Sequence, residues 1–299
     1  MDRFEALRLF VAVADHEGFA AGARAIGASA ASATRAVTTL EERLGVKLFV
    51  RTTRSVRLTE PGRIYLDRSR QVLDDLGQAD ALASGAAAVP TGRLRITTPV
   101  RFGILHLMPV IGSFLDQNDA VTADVVFVDR VVNLIEEGFD VALRIGPLPD
   151  SGLVARRVGE VRRVVCAAPD YLDRRGEPEH PDDLGAHAIV SATTVTATDE
   201  WKFGDKVSAT VNPRIRMNSV EAAITGARLA HGLTRVLSYQ ISDDVAEGRL
   251  RIVLRDFEPA PLPVHLVHAE GRIASAKVRA FIDHSVEALK ERLARLERL

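Results

Sequence analysis

Apolar residues recur at helical spacing from the start of the chain. Phe4, Leu7, Phe10, Val11 and Ala14 lie on one face of a helix predicted over residues 3–16, with Gly18 as its expected stop. A second short helix is predicted over residues 20–26, and Gly27-Ala28-Ser29 breaks it. Ser29 suits the N-cap of a third helix running to about residue 44. Ala33, Val37, Leu40 and Leu44 repeat there at spacings of 4, 3 and 4, which turns Thr34, Arg35 and Thr38 the other way. Gly45 fits the left-handed residue that closes such a helix. A basic, β-prone stretch follows, Phe49-Val50-Arg51-Thr52-Thr53-Arg54-Ser55-Val56-Arg57. Helix, tight turn, helix and a two-stranded basic wing form the pattern of a winged helix-turn-helix.

The next helix opens near Pro61 and is expected from residue 63 to about 84. Tyr65, Ser69, Val72, Leu76, Ala79 and Ala83 repeat at 4, 3, 4, 3, 4 along it, a heptad-like stripe that suits a dimer seam. Val89-Pro90-Thr91-Gly92 makes a hinge. Beyond it the period changes. Strands are predicted at 94–97, 121–128 and 140–144, with helices at 103–116 and 131–137 between them. A second run places strands at 161–167, 189–191, 233–236, 250–254 and 262–268, helices near 220–230 and 238–247, and a terminal amphipathic helix from 276. Strands alternating with helices imply parallel sheets with crossover helices. The chain is thus divided into a DNA-binding domain (1–60), a linker helix (61–88), a hinge (89–92) and a two-lobed α/β domain (93–299). The first lobe is expected at about 93–162 and 268–299, the second at about 163–267.

Composition changes this picture at one place. The formal net charge is −1 and mean hydropathy is +0.04, values that point to no acidic or basic partner. Between Arg24 and Arg57, however, seven basic residues face two acidic ones, Glu41 and Glu42. That local excess suits a phosphate-binding surface. A single cysteine, Cys166, excludes an intrachain disulfide and a cysteine metal site. No leader sequence and no run long enough to span a membrane is legible, so a cytoplasmic protein is expected. Phosphate-loop, dinucleotide and nucleophile-elbow motifs are not found, and neither catalysis, a metal nor a cofactor is expected.

The whole chain resembles a LysR-type transcriptional regulator. Leu9-Phe10-Val11-Ala12-Val13-Ala14, Gly18-Phe19, Leu40-Glu41, Leu44-Gly45-Val46-Lys47-Leu48-Phe49 and Leu58-Thr59-Glu60-Pro61-Gly62 carry the N-terminal likeness. Gly92-Arg93-Leu94-Arg95-Ile96, Glu137-Gly138-Phe139-Asp140-Val141-Ala142 and Ala167-Ala168-Pro169-Asp170-Tyr171-Leu172 carry the rest. The resemblance implies a periplasmic-binding-protein-like domain with an effector cleft between its lobes. It also implies homodimers through the linker helix, commonly homotetramers, and work at promoters with RNA polymerase as the partner of an activator. The sequence departs from the family where the recognition helix usually opens with Ser-Gln-Pro. Here Ser29 is followed by Ala30 and Ala31, which replace an amide reader with methyl groups able to meet a thymine.

Residues expected at duplex DNA are Ser29, Ala30, Ala31, Thr34, Arg35 and Thr38 from the recognition helix, with Arg51 and Arg54 from the wing. Ligands of two-lobe α/β proteins gather at strand C-terminal ends. Thr98, Arg101, Phe102, Arg144 and Gly146 are therefore expected to line the first-lobe wall, and Thr193, Thr234 and Arg235 the second, around a small organic anion. Two other readings stay open: a small-molecule-binding or enzymatic α/β protein with an accessory N-terminal domain, and an architectural DNA-binding protein indifferent to ligands.

Overall fold

The periodic segments at the N-terminus fold as α1 (Arg3–Asp15), α2 (Phe19–Ala25) and α3 (Ala30–Leu44). They are followed by β1 (Phe49–Arg51), β2 (Val56–Leu58) and the long α4 (Glu60–Ala83). The computed structural model describes residues 2–51, 56–83, 89–150, 152–193, 198–204, 207–269 and 274–296, and the chain divides into two units, Met1–Val89 and Pro90–Leu299.

In the first unit Ser29 caps α3 as expected, its hydroxyl accepting from Ser32 N at 3.1 Å. Gly45 closes that helix at φ 69°. Gly18 behaves differently from expectation. It is the extended N-cap of α2, while Glu17 takes the positive φ of 48°. Gly18 N–H nonetheless donates to Val13 O at 3.1 Å and ties off the end of α1. Gly22 permits the close approach of α1 and α2, since a Cβ there would sit 2.4 Å from Ala12 O. The core is built from Leu9, Phe10, Val13, Val37, Leu40 and Leu48.

The stripe on α4 splits in two. Tyr65 stacks at 5.4 Å on Phe10, and Ser69 is only 2% exposed, so its first two members serve their own domain. Val72 and Leu76 stay exposed, as does Ile64. The side chains of Ala79 and Ala83 lie outside the described residues.

The second unit runs β3 (Gly92–Thr98), α5 (Val100–Phe102), a π-turn (Gly103–Leu107), α6 (Met108–Leu115), β4 (Val121–Phe127), α7 (Leu134–Glu137), β5 (Val141–Ile145) and β6 (Leu153–Val161). It continues with β7 (Arg163–Ala167), α8 (Pro169–Arg175), β8 (Ile189–Ala192), β9 (Glu200–Phe203), β10 (Val207–Thr210), β11 (Pro213–Met217), α9 (Val220–Arg228), β12 (Thr234–Leu237), α10 (Ser242–Ala246), β13 (Arg251–Val253), β14 (Leu262–Ala269) and α11 (Ala276–Leu296). The expected α/β lobes are present, but their sheets are not purely parallel. The first-lobe sheet has the order β4-β3-β5-β14-β6. β3 runs parallel to β4 and β5, whereas β14 is antiparallel to both β5 and β6. β14 joins this sheet from Leu262, so the return to the first lobe comes before residue 268. The expected division at 267–268 falls inside a strand.

In the second lobe β7 lies antiparallel between β12 and β13, and β11 runs parallel to β8. A hairpin, β9–β10, was not legible as strands. Its Trp201 and Phe203 alternate inward with exposed Glu200 and Lys202, but over four residues. So short a period gives a weak signal.

Candidate functional site

The exposed side of α3 carries Ala30, Ala31, Thr34 and Arg35, with Thr38 half-buried at its edge and Ser29 exposed at its cap. Two of these hydroxyls are committed. Ser29 Oγ holds the helix cap, and Thr34 Oγ1 donates to Ala30 O at 2.9 Å. Thr34 therefore presents a methyl group and an acceptor lone pair at the surface. Arg35 is exposed, with a guanidinium that no neighbouring carboxylate fixes among the described residues.

Arg51 is held more firmly than a solvated wing residue. Its guanidinium carbon lies 4.4 Å from the Phe19 ring centroid, and Nη2 lies 3.9 Å from Glu41 Oε2. Arg54 lies outside the described residues. Glu41, one of the two acidic residues counted within the basic segment, is only 3% exposed. Its Oε1 accepts from Leu48 N at 2.9 Å and Phe49 N at 3.3 Å, and its Oε2 from Lys47 Nζ at 2.8 Å. Burial raises its pKa, but these partners outweigh burial and hold the carboxyl below its usual range. Glu41 thus pins the first wing strand to α3. A Glu next to the apolar stripe, at the i+4 position from Val37, was the available signal.

In the second unit a cavity of about 210 Å³ opens between the strand ends of the two lobes. Its first-lobe wall has Pro99, Asp129, Arg130 and Arg144, and its second-lobe wall Arg163, Val220, Tyr239 and Gln240. Of the eight expected effector residues, Arg144 alone lines this cavity. Thr98, Phe102 and Thr234 are at most 1% exposed, within the packed lobes. Phe102 stacks on Tyr239 at 5.1 Å and on His106 at 5.0 Å. Gly146 is buried at φ 109°, with its N–H given to Pro263 O at 2.8 Å. Thr193 is exposed and binds Met217 O through both its N–H and its hydroxyl. Arg235 is buried, donating to Lys202 O. Arg101 pairs with Glu221 and gives its Nε to Gln240 O at 2.9 Å. Strand-end position brought Arg144 of the first lobe to the cavity, whereas in the second lobe Thr234 and Arg235 begin β12 and it is the other end of that strand, at Leu237, that lines it. Strand position did not tell which side chains turn into the gap and which are consumed by packing.

The cavity lining that sequence reasoning missed is instructive. Asp129 Oδ1 accepts from Val100 N at 3.0 Å and caps the helix that begins there, since Pro99 has no side-chain acceptor. Tyr239 and Gln240 come from a 3₁₀ turn, where the expected helix over 238–247 is broken. Arg163 stands at the first position of β7. Cys166 is fully buried, and burial pushes its thiol well above the ordinary range, as an inert core residue requires. No described helix is long and apolar enough to cross a membrane.

Comparison with known proteins matches both units. Residues 4–63 match the family described as bacterial regulatory helix-turn-helix protein, lysR family, and residues 87–290 the LysR substrate binding domain. The chain is 33% identical to the regulator YhjC of Escherichia coli (strain K12), covering 98% of this chain and 100% of that one. It is 35% identical to a helix-turn-helix transcriptional regulator of Xanthomonas campestris pv. campestris (strain 8004), over 94% of this chain and 84% of that one. Among solved structures it is similar to CrgA, a LysR-type regulator from Neisseria meningitidis, with a TM-score of 0.62 and 28% identity over 95% of this chain and 98% of that one. The chain belongs to the LysR family of transcriptional regulators, with a DNA-binding helix-turn-helix domain at its N-terminus and an effector-binding domain at its C-terminus.

Proposed function

We propose that the protein is a cytoplasmic, effector-responsive regulator that reads promoter DNA through α3 and grips the flanking backbone with its wing. Arg35 is the base reader, and Ala30, Ala31 and Thr34 supply methyl contacts beside it. Arg51 and Arg54 serve phosphate or a narrow minor groove. The protein works as a homodimer or homotetramer through the exposed apolar residues of α4, and as an activator its partner would be RNA polymerase.

The effector is a small organic anion held between Arg144 of the first lobe and the second-lobe wall. The observation that carries this reading is a cavity at the strand ends of both lobes with an arginine on each side. A ligand that makes its full set of interactions only when the lobes are closed shifts the population toward the closed form, and so alters the spacing of DNA-binding domains in the oligomer. The test is calorimetry with small carboxylates on the full chain and on Arg144→Ala. Hits that bind the parent and bind the variant at least ~10-fold more weakly, about 1.4 kcal/mol, support this site. Hits that bind both alike put the effector elsewhere.

A further inference from the structure

The second-lobe wall of the cavity has an unusual charge arrangement. In the β7–β12 ladder Arg163 stands opposite Leu237, and Arg235 opposite Val165. Side chains alternate along a strand, so Arg163, Val165 and Arg235 leave the same face, and the two arginines are diagonal neighbours. Val165 on that face packs into the apolar core with Trp201 and Phe203. The Arg235 guanidinium accordingly lies over Trp201 and Phe203, while Arg163 lines the cavity.

Arg163 Nε is buried without a hydrogen-bond partner, and no carboxylate pairs with Arg163 or Arg235 among the described residues. Arg235 is 4% exposed, and its charge meets the Lys202 carbonyl and the faces of Trp201 and Phe203 at 5.7 and 5.1 Å. Burial, and then the charge of Arg163, lower the Arg235 pKa to about 10, so it remains a cation at neutral pH. Buried cations are ordinarily paired, because loss of hydration must be offset.

The first-lobe wall is different. Arg130 gives both terminal nitrogens to Glu137, at 2.9 and 2.6 Å, and Arg144 donates to Val132 O with Glu137 close enough to favour its charge. Asp129 adds a further negative charge at the cavity. Positive charge is balanced on one side of the gap and unbalanced on the other. A monoanion at Arg163 would neutralise one of two adjacent cations and leave the second without compensation.

We propose that Arg163, backed by Arg235, reads the charge of the ligand, and that the effector is a small dianion, a dicarboxylate or a phosphate monoester, with an anionic group against Arg163. This rests on the cavity being the effector site. A volume near 210 Å³, several times the roughly 30 Å³ of one water, suits a compact molecule of this kind.

Trp201 is the single tryptophan of the chain and lies beside Arg235, so its emission reports on this wall. The full chain is titrated with succinate, methyl phosphate and propionate, in the parent, Arg163→Gln and Arg163→Lys, with circular dichroism to confirm that each is folded. In the parent, succinate or methyl phosphate should bind at least ~10-fold more tightly than propionate, and the stronger of the two identifies the group. Arg163→Gln should weaken the dianion at least ~10-fold and so remove that preference, and Arg163→Lys should restore part of it. Equal binding of dianions by the parent and Arg163→Gln overturns the proposal. So does a parent that prefers propionate or gives no dianion response up to ~10 mM, a concentration that registers even weak sites. If Arg144→Ala weakens ligand binding while Arg163→Gln does not, the inference falls and the cavity reading stands. If neither variant weakens it, both fall.

Discussion

Arg101, on the first turn after β3, is ion-paired with Glu221, on the first turn of α9, across the two lobes of the effector domain. The same guanidinium donates to Gln240 O at 2.9 Å. Burial comes first among the influences that lower its pKa, and the nearby Asp244 opposes that effect. The residue that sequence position marked as an anion anchor is thus already supplied with a carboxylate by the protein itself. Glu221 also accepts from Arg228 at 3.0 Å, which fixes it in place.

This pair should stabilise the lobe arrangement modestly. Arg101 is partly buried and Glu221 is 55% exposed, so solvent screens much of the attraction. A double-mutant cycle with Arg101→Met and Glu221→Gln should give a coupling of about 0.5–1 kcal/mol in chemical denaturation. A coupling below roughly 0.2 kcal/mol would mean that the pair does not hold the lobes.

Glu41 should matter more than its surface-like sequence context implies. Glu41→Ala leaves the Leu48 and Phe49 amides and Lys47 without their acceptor, and should cost the N-terminal unit about 2–4 kcal/mol. Glu41→Gln, which keeps an acceptor for the amides, should cost less. Thermal melts of the three proteins, followed by mobility-shift titration, check both effects; equal melts for Glu41→Ala and the parent would contradict this role.

Arg35→Ala should lose discrimination at one base pair, by about 1–3 kcal/mol, and leave binding to unrelated duplex nearly unchanged. Uniform weakening across sequences, with a shallower salt dependence, would instead make Arg35 a phosphate contact. Binding measured on a library of single-base operator variants distinguishes the two.

Acid should destabilise the effector domain through His106. This ring is 8% exposed between Phe102 and Tyr239, and burial, aided by Arg292 and opposed by Asp243, lowers its pKa to about 4. The unfolded chain binds a proton below the ordinary value near 6.5, while the folded one does not. Stability is therefore lost as pH falls from about 6.5 toward 4, by roughly 3 kcal/mol at most. Melting temperature followed over that range should show the loss in the parent and a flatter curve in His106→Gln. Parallel curves would exclude His106 as its origin.

Assembly should depend on the outer part of α4. Val72 and Leu76 are exposed in the monomer, 43% and 37%, so Leu76→Asp should leave the fold intact and shift the protein toward monomer in light scattering. Tyr65→Asp should damage the N-terminal unit itself, because Tyr65 packs on Phe10. An unaltered oligomer of folded Leu76→Asp would put the seam elsewhere.

The sequence by itself determined the local elements whose signals are local. Ser29 as cap, Gly45 as terminator and the stripe from Ala33 to Leu40 depend on residues within a turn or two of each other, and each folds as expected. The dense motif likewise sufficed to identify the family, since it repeats at fixed spacing along both units. Tertiary structure decided what depends on partners distant in sequence. Whether β14 runs parallel or antiparallel, and which lobe receives it, is set by pairing with β5 and β6 more than a hundred residues earlier. Tyr65 and Leu76 share one stripe but face different surroundings, because α1 covers only the first part of α4. Arg101, Arg144, Arg163 and Arg235 all stand at strand ends or next to them and look equivalent as letters. One is consumed by Glu221, one is held by a carbonyl beside Glu137, and two meet no carboxylate among the described residues, because charge balance in a folded protein is settled among neighbours in space.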